Sequence, residues 1–251
     1  MSTKLIQVTL YDIPNKLPDS PGSANTWRTR YSLNMKKVPY QTVYVELPDV
    51  EALAKQIGAA PTGTRHDGVT PLYTVPIIQD HATGAVVSES AAIAAYLDKT
   101  YPSGPTLVPA GTMPLQLAFR DAVSDVLFGP FRGFVIEGIM PKLTDRTAEY
   151  WKGRLARQGV SLEALFDGDK VKAWEKAMAS LRTLDKWFEG NEGPFIMGSE
   201  PCFADAVLAA FLRHCRMALG KDSKEWRDVG SWNGGKWVKY LDSFLPYEAI
   251  L

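Results

Sequence analysis

Apolar positions follow two different rhythms along the chain, and the change falls near Tyr101. Up to Leu97, short strand-like runs alternate with helical ones. "LIQVTLYDI" is apolar and β-rich, and "YQTVYVEL" alternates apolar and polar positions as a half-buried strand does. "TWRTRYSLNMKK" and "DVEALAKQIG" carry helical spacing. Asp49 stands as a cap for the second of these and Gly58 as its stop. "APTGTRHDGVTP" reads as a loop. "YTVPIIQD" and "AVVSES" read as two short strands about a turn at "HATG". "ESAAIAAYLDKTYP" reads as a helix ending before Pro102. The order is β-α-β-α-β-β-α, which implies a parallel component plus an antiparallel hairpin.

"PSGPTLVPAGTMP" follows, with four prolines in thirteen residues. That composition suits a linker. Beyond it the pattern is helical only: "LQLAFRDAVSDVLFGPFRGFVIEGI", "RTAEYWKGRLARQG", "KVKAWEKAMASLRTLDKWFEG" and "FADAVLAAFLRHCRMAL". Phe119, Val123, Val126 and Leu127 share one face. Gly129, Pro130 and Gly133 are expected to bend or break the first of these helices. The expected fold is an α/β domain over 1–101, a linker over 102–113 and an all-α domain over 114–251.

Composition narrows the function. The 251 residues are 45% hydrophobic, enough for a well-buried core. Lys and Arg together number 28, as do Asp and Glu, so no overall field points to nucleic acid or an anionic membrane. Cys202 and Cys215 match no disulfide framework and no CxxC spacing, and both lie in apolar sequence, as buried thiols do. His66, His81 and His214 show no metal spacing, and no Ser-His-Asp arrangement finds an anchor. No run of 18 apolar residues occurs, and "MSTKLIQVTLYD" lacks the apolar core of a signal peptide, so a cytoplasmic protein is expected.

Three short stretches carry candidate chemistry. In "SPGSANTWRTRYSLN", Ser20 to Asn34, small and polar residues stand where a strand hands over to a helix. They make either a turn with an N-cap or a hydroxyl and free N–H groups aimed at an anion. In "YTVPIIQD", Pro76 cannot donate to a sheet ladder and belongs at an edge or a strand start. In "SESAAIAAYL", Ser88 or Ser90 caps a helix and Glu89 complements its dipole, or the same groups bind a charged ligand.

These stretches, in this order, together with "GSEPCFADAVLAA", resemble the cytosolic glutathione transferases, a thioredoxin-like domain followed by a helical one. "SANTWRTRYSL" resembles the first helix of the bacterial lignin β-etherases and of the related fungal-specific FuA class. The likeness spans nearly the whole chain. It implies a cis bond at Val75–Pro76, with the Val75 backbone pairing the cysteinyl part of glutathione. It implies that Glu89 and Ser90 hold the γ-glutamyl group, with Tyr73 and Arg28 as further contacts. It places the thiolate near Ser23, four positions before Trp27, with Asn25 as a second donor, Gly22 giving the backbone room and Ser20 as a turn residue. The electrophile would lie between the domains, against Trp27 at the start of the first helix and Phe128, Phe131 and Phe134. One departure stands out: the family's Ser or Thr three residues before Asp205 is Cys202 here, a poor cap. The resemblance further implies a homodimer, glutathione as co-substrate, no metal, and aromatic electrophiles. A non-catalytic carrier of aromatic molecules that retains glutathione is the alternative.

Overall fold

A four-stranded sheet in the order β2-β1-β5-β6 forms the centre of the first domain. In this computed structural model, residues 6–17, 22–161, 163–166 and 168–251 are described. Strand β1 (Val8–Asp12) is buried at every position, as a central strand covered on both faces must be. It pairs in parallel with β2 (Tyr40–Tyr44) and antiparallel with β5 (Ile77–Asp80), which pairs with β6 (Val86–Ser88). Helices α1 (Ala24–Met35), α2 (Val50–Gln56) and α3 (Ser90–Thr100) complete the domain. This is the thioredoxin-like arrangement expected.

Three local readings are corrected. The strand expected over "YTVPIIQD" shrinks to its last four residues, because the ladder begins only beyond Pro76, which has no N–H to give. The stretch read as a loop at "APTGTRHDGVTP" contains a small hairpin, β3 (Gly63–Thr64) with β4 (Pro71–Leu72). Nor does Asp49 cap α2: its carboxylate takes two hydrogen bonds from Arg146, at 2.7 and 2.9 Å.

The second domain is helical. α4 (Met113–Val123) runs through a π turn at Ser124–Phe128 into α5 (Gly129–Ile139). α6 (Asp145–Arg157), α7 (Lys170–Trp187) and α8 (Phe203–Leu219) follow. Two short helices not read from the sequence close the domain, α9 (Lys224–Ser231) and α10 (Lys236–Asp242). The helix at Pro130 is not broken. The Gly129 N–H bonds the Ser124 carbonyl, five residues back, and this wider turn accommodates the proline that would clash in an α turn. Gly133 and Gly138 are contact positions. A Cβ at Gly133 would stand 2.7 Å from the Phe166 ring, and one at Gly138 would collide with the Ala218 carbonyl of α8. Among the described residues, no helix is long and apolar enough to cross a membrane.

α8 is buried without a break from Phe203 to Leu212 and packs on α1, α4 and α5. Its start is capped despite Cys202. The Gln116 side chain of α4 accepts from Ala204 N at 2.7 Å, and Asp205 accepts from Cys202 N at 2.9 Å. Burial pushes the Cys202 thiol up to about 12 and raises that of Cys215 as well.

α1 is held to the sheet by a sealed ion pair. Arg30 Nη2 lies 3.1 Å from Asp12 Oδ2 with both side chains wholly excluded from solvent. Arg30 also donates to Tyr40 Oη and Thr42 Oγ1, and Asp12 accepts from Ile13 N. Burial pushes the Asp12 carboxyl up to about 6 against the pull of Arg30. Removing one partner strands the other charge. Arg30→Met should therefore cost about 3–5 kcal/mol in chemical denaturation, and adding Asp12→Leu should recover most of the loss. Wild-type stability in the single variant would refute this account.

Candidate functional site

The N-terminus of α1 opens beside the end of β1. Ser23 is the N-cap, in extended backbone, and its Oγ accepts from Thr26 N at 3.3 Å. A hydroxyl that accepts still has its proton to donate. The capping role therefore accompanies an anion-binding role rather than excluding it. Gly22 N donates to the Ile13 carbonyl, and a Cβ at Gly22 would stand 3.0 Å from that oxygen, so the close approach needs glycine. Asn25 is exposed in the first turn. Ser20 lies outside the described residues. The loop before α1 is stitched to the helical domain: Lys16 N donates to the Lys142 carbonyl, and Lys142 Nζ donates to the Met217 and Ala218 carbonyls at the end of α8.

The N-terminus of α3 carries the second group. Glu89, and neither Ser88 nor Ser90, caps this helix. Its carboxylate accepts from Ala91 N at 3.0 Å and Ala92 N at 3.2 Å. Ser90 Oγ donates to the same carboxylate at 3.2 Å, and Arg120 of α4 joins it at 3.3 Å. Glu89 holds φ at +78°, a region a non-glycine residue enters at a cost of about 1–3 kcal/mol. Its N–H reaches the Pro76 carbonyl at 3.4 Å, which ties the start of α3 to the cis Val75–Pro76 bond. Val75 itself makes no backbone hydrogen bond among the described residues. Tyr73 lies half-buried under Lys55.

Arg28, one turn into α1, lies within electrostatic range of Glu89, Arg120 and Asp121, and its buried Nε has no hydrogen-bond partner. Burial, then the Arg120 charge, push it down to about 10, with Glu89 and Asp121 opposing. Arg120 gave no signal in the sequence: it sits beside Asp121 on an amphipathic helix, like any solvated pair.

The aromatic lining differs from expectation. Trp27 is fully buried between α1 and α8, with the Arg213 guanidinium 3.5 Å over its ring and Tyr31 alongside. α1 packs on the sheet and on α8 at once, so its aromatics face core. Phe131 is also core, edge-on to Trp174 and Phe211. Phe134 is half-buried against Phe166 and Trp174, and Phe128 reaches solvent. An apolar cleft of about 550 Å³ lies elsewhere, between α4 and the end of α7, walled by Phe119, Trp187, Phe188 and Ile196. No cluster of His, Cys, Asp or Glu among the described residues has the makings of a metal site.

A thioredoxin-like sheet with its cis-proline, followed by an all-helical domain, defines the class of fold. Residues 22–100 match the family model for the glutathione S-transferase N-terminal domain, and residues 114–247 that for the C-terminal domain; the chain belongs to this family. Its solved relatives include fungal proteins. A glutathione S-transferase of Ceriporiopsis subvermispora, determined in complex with glutathione, is 39% identical with a TM-score of 0.91, over 98% of this chain and 99% of its own. The glutathione transferase GSTFuA3 of Phanerochaete chrysosporium is 36% identical with a TM-score of 0.90, over 99% and 100%. Among curated proteins, the glutathione S-transferase-like protein ustS of Aspergillus flavus is 29% identical over 90% of this chain and 85% of its own.

One group near the domain junction sets a pH dependence. His214 of α8 has a buried Nδ1 without a partner, and burial, then the charges of Arg213 and Lys142, push it down to about 4. Between pH 6.5 and 4 the unfolded chain takes up a proton that the folded protein refuses. The stability this contributes is complete above pH 6.5 and is lost as pH falls towards 4. His214→Gln should therefore lose less stability than wild type between pH 7 and 4.5 in parallel denaturation series. Identical pH dependence in both proteins would contradict the shift.

Proposed function

We propose that this chain is a serine-type glutathione transferase acting on apolar, aromatic electrophiles. Glutathione is held with its γ-glutamyl group at Glu89 and Ser90, its cysteinyl backbone along Val75 beside Pro76, and its sulfur towards Ser23, with Tyr73, Arg28 and Asn25 as further contacts. The observation that carries this reading is the start of α3, where Glu89 and Ser90 are tied to the cis Val75–Pro76 bond through the Glu89 N–H and the Pro76 carbonyl. One peptide then spans both positive helix ends. The fungal relative determined with glutathione supports the same ligand.

The chemistry follows from the thiol. A free thiol has a pKa near 8.5, so roughly a few per cent is ionised at pH 7. Lowering that value by about two units takes roughly 2.7 kcal/mol of preferential thiolate stabilisation. The Ser23 hydroxyl, its oxygen engaged by Thr26 N, donates its proton towards sulfur at a helix N-terminus. With an aryl isothiocyanate, the thiolate adds to the central carbon and the nitrogen takes a proton from solvent. Phe128 and Phe134 remain as aromatic lining for such a substrate.

The carrier reading draws support from the apolar cleft walled by Phe119, Trp187 and Phe188. Turnover of aryl isothiocyanates well above the solvent rate would set it aside. The family resemblance also supports a homodimer. Light scattering at micromolar concentration should return twice the chain mass, and a monomer mass would exclude it.

Ser23→Ala tests the thiolate assignment. It should raise the pKa of the bound thiol while leaving glutathione affinity nearly intact. At pH 6.5 the isothiocyanate rate should fall tenfold or more, from roughly 1.4 kcal/mol of lost stabilisation, and the gap should narrow at pH 9. An unchanged thiolate absorbance titration would reject Ser23 and turn attention to Asn25 or a backbone N–H.

A further inference from the structure

Glu89 is already saturated. A carboxylate has about four lone-pair sites. Those of Glu89 are taken by Ala91 N, Ala92 N, Ser90 Oγ and Arg120 Nη1, at 3.0 to 3.3 Å. A ligand's ammonium group therefore finds no place on this carboxylate until a partner leaves. The two backbone donors belong to α3 and stay. Ser90 and Arg120 are the partners able to turn away.

Two acids and two guanidiniums stand close together here: Arg120 pairs with the Glu89 carboxylate, and Arg28 lies within electrostatic range of both. The remaining acid is Asp121, which pairs with Arg120 at 2.8 Å but is 64% exposed, so its pull is screened by water. Arg28 meanwhile keeps a buried Nε without a hydrogen-bond partner. Two guanidiniums, one serine hydroxyl and a helix N-terminus thus stand with one sheltered and one exposed acid, and Arg120 occupies the place on Glu89 where a ligand's cation would go.

We propose that Arg120 is the carboxylate-reading residue of a site for an α-amino-acid zwitterion shared by both domains. In the empty protein Arg120 occupies the ammonium position on Glu89. On binding, the ligand's ammonium takes that position, and Arg120 and Ser90 turn to the ligand's α-carboxylate beside Arg28. No bond is made or broken; one ion pair is exchanged for two. The site then selects molecules with a free γ-linked glutamyl head, whatever follows it in the chain. Because Arg120 comes from α4 and Arg28 from α1, the same carboxylate clasps the helical domain to the thioredoxin-like one. This assignment rests on Glu89 and Ser90 being the γ-glutamyl site.

Calorimetric titration with two ligands tests it: glutathione, and the analogue in which the γ-glutamyl α-carboxylate is a carboxamide. Wild type should bind the amide at least tenfold more weakly than glutathione, a comparison that needs no substitution. Arg120→Gln, its fold checked by thermal melting, should bind glutathione at least tenfold more weakly. It should show little further loss with the amide, because both changes remove the same contact. If Arg120→Gln keeps wild-type affinity for glutathione, or if the two penalties simply add, Arg120 does not read the carboxylate and the assignment falls while the glutathione reading stands. If wild type binds no glutathione, both fall together.

Discussion

The carboxylate of Asp205 is sealed inside the helical domain, and the start of α8 depends on its being satisfied there. It accepts from Ile196 N at 2.8 Å, Cys202 N at 2.9 Å and Tyr240 Oη at 2.5 Å. Burial raises its pKa, and these donors oppose the shift. A buried charge left short of partners costs several kcal/mol, so the loop before α8, the start of α8 and α10 are held in one arrangement or the charge is exposed. Gln116 adds α4 to the same cluster by capping Ala204. The usual hydroxyl at the cap position is thus dispensable: Cys202 and Asp205 form the reciprocal capping box, and Gln116 of α4 adds an acceptor for Ala204 N.

From this anchored start, α8 runs as the spine of the molecule. The glycine at 138 lets α5 cross it at Ala218, and Arg213 lies over the Trp27 ring of α1. α1 is consequently enclosed by the sheet on one side, through Asp12 and Arg30, and by α8 on the other. Its buried positions are committed to packing. What remains open is its first turn, where Ser23, Ala24 and Asn25 present a cap and orphan N–H groups, and Arg28 one turn further in.

The candidate site is divided between the domains in the same way. Glu89, Ser90 and Val75 lie on the thioredoxin-like side, and Arg120 reaches them from α4. Thr144 and Thr147 both donate to Glu46, and Arg146 clasps Asp49, so α6 adds a second polar seam between the domains. These seams hold the thioredoxin-like domain against the helical bundle.

Much of this was legible in the chain. The two rhythms of apolar spacing, period 2 against 3.6, marked the α/β part and the helical part, because burial of one face imposes that spacing locally. Pro76, the Glu89–Ser90 pair and the cap at Ser23 were legible because each acts on its own backbone neighbours. Other features were decided only in three dimensions. Trp27 and Phe131 look like any aromatics at the edge of a cleft until packing encloses them. Arg28 looks like any solvated arginine until Arg120 and Glu89 meet it. Glu89 rather than a serine caps α3 because a longer side chain can reach back to two N–H groups while its backbone takes a positive φ. The turn at Pro130 widens rather than breaks because the helix on both sides is held by its neighbours. The sequence by itself determined most of the strands and helices, since propensity, capping and periodicity act over a few residues, but not the β3–β4 hairpin, the start of β5, α9 or α10, whose short segments carry too weak a local pattern. Tertiary structure alone decided which charges face one another and which aromatics are sealed, because those depend on contacts between residues as far apart as 89 and 120 or 27 and 213, which no local pattern encodes.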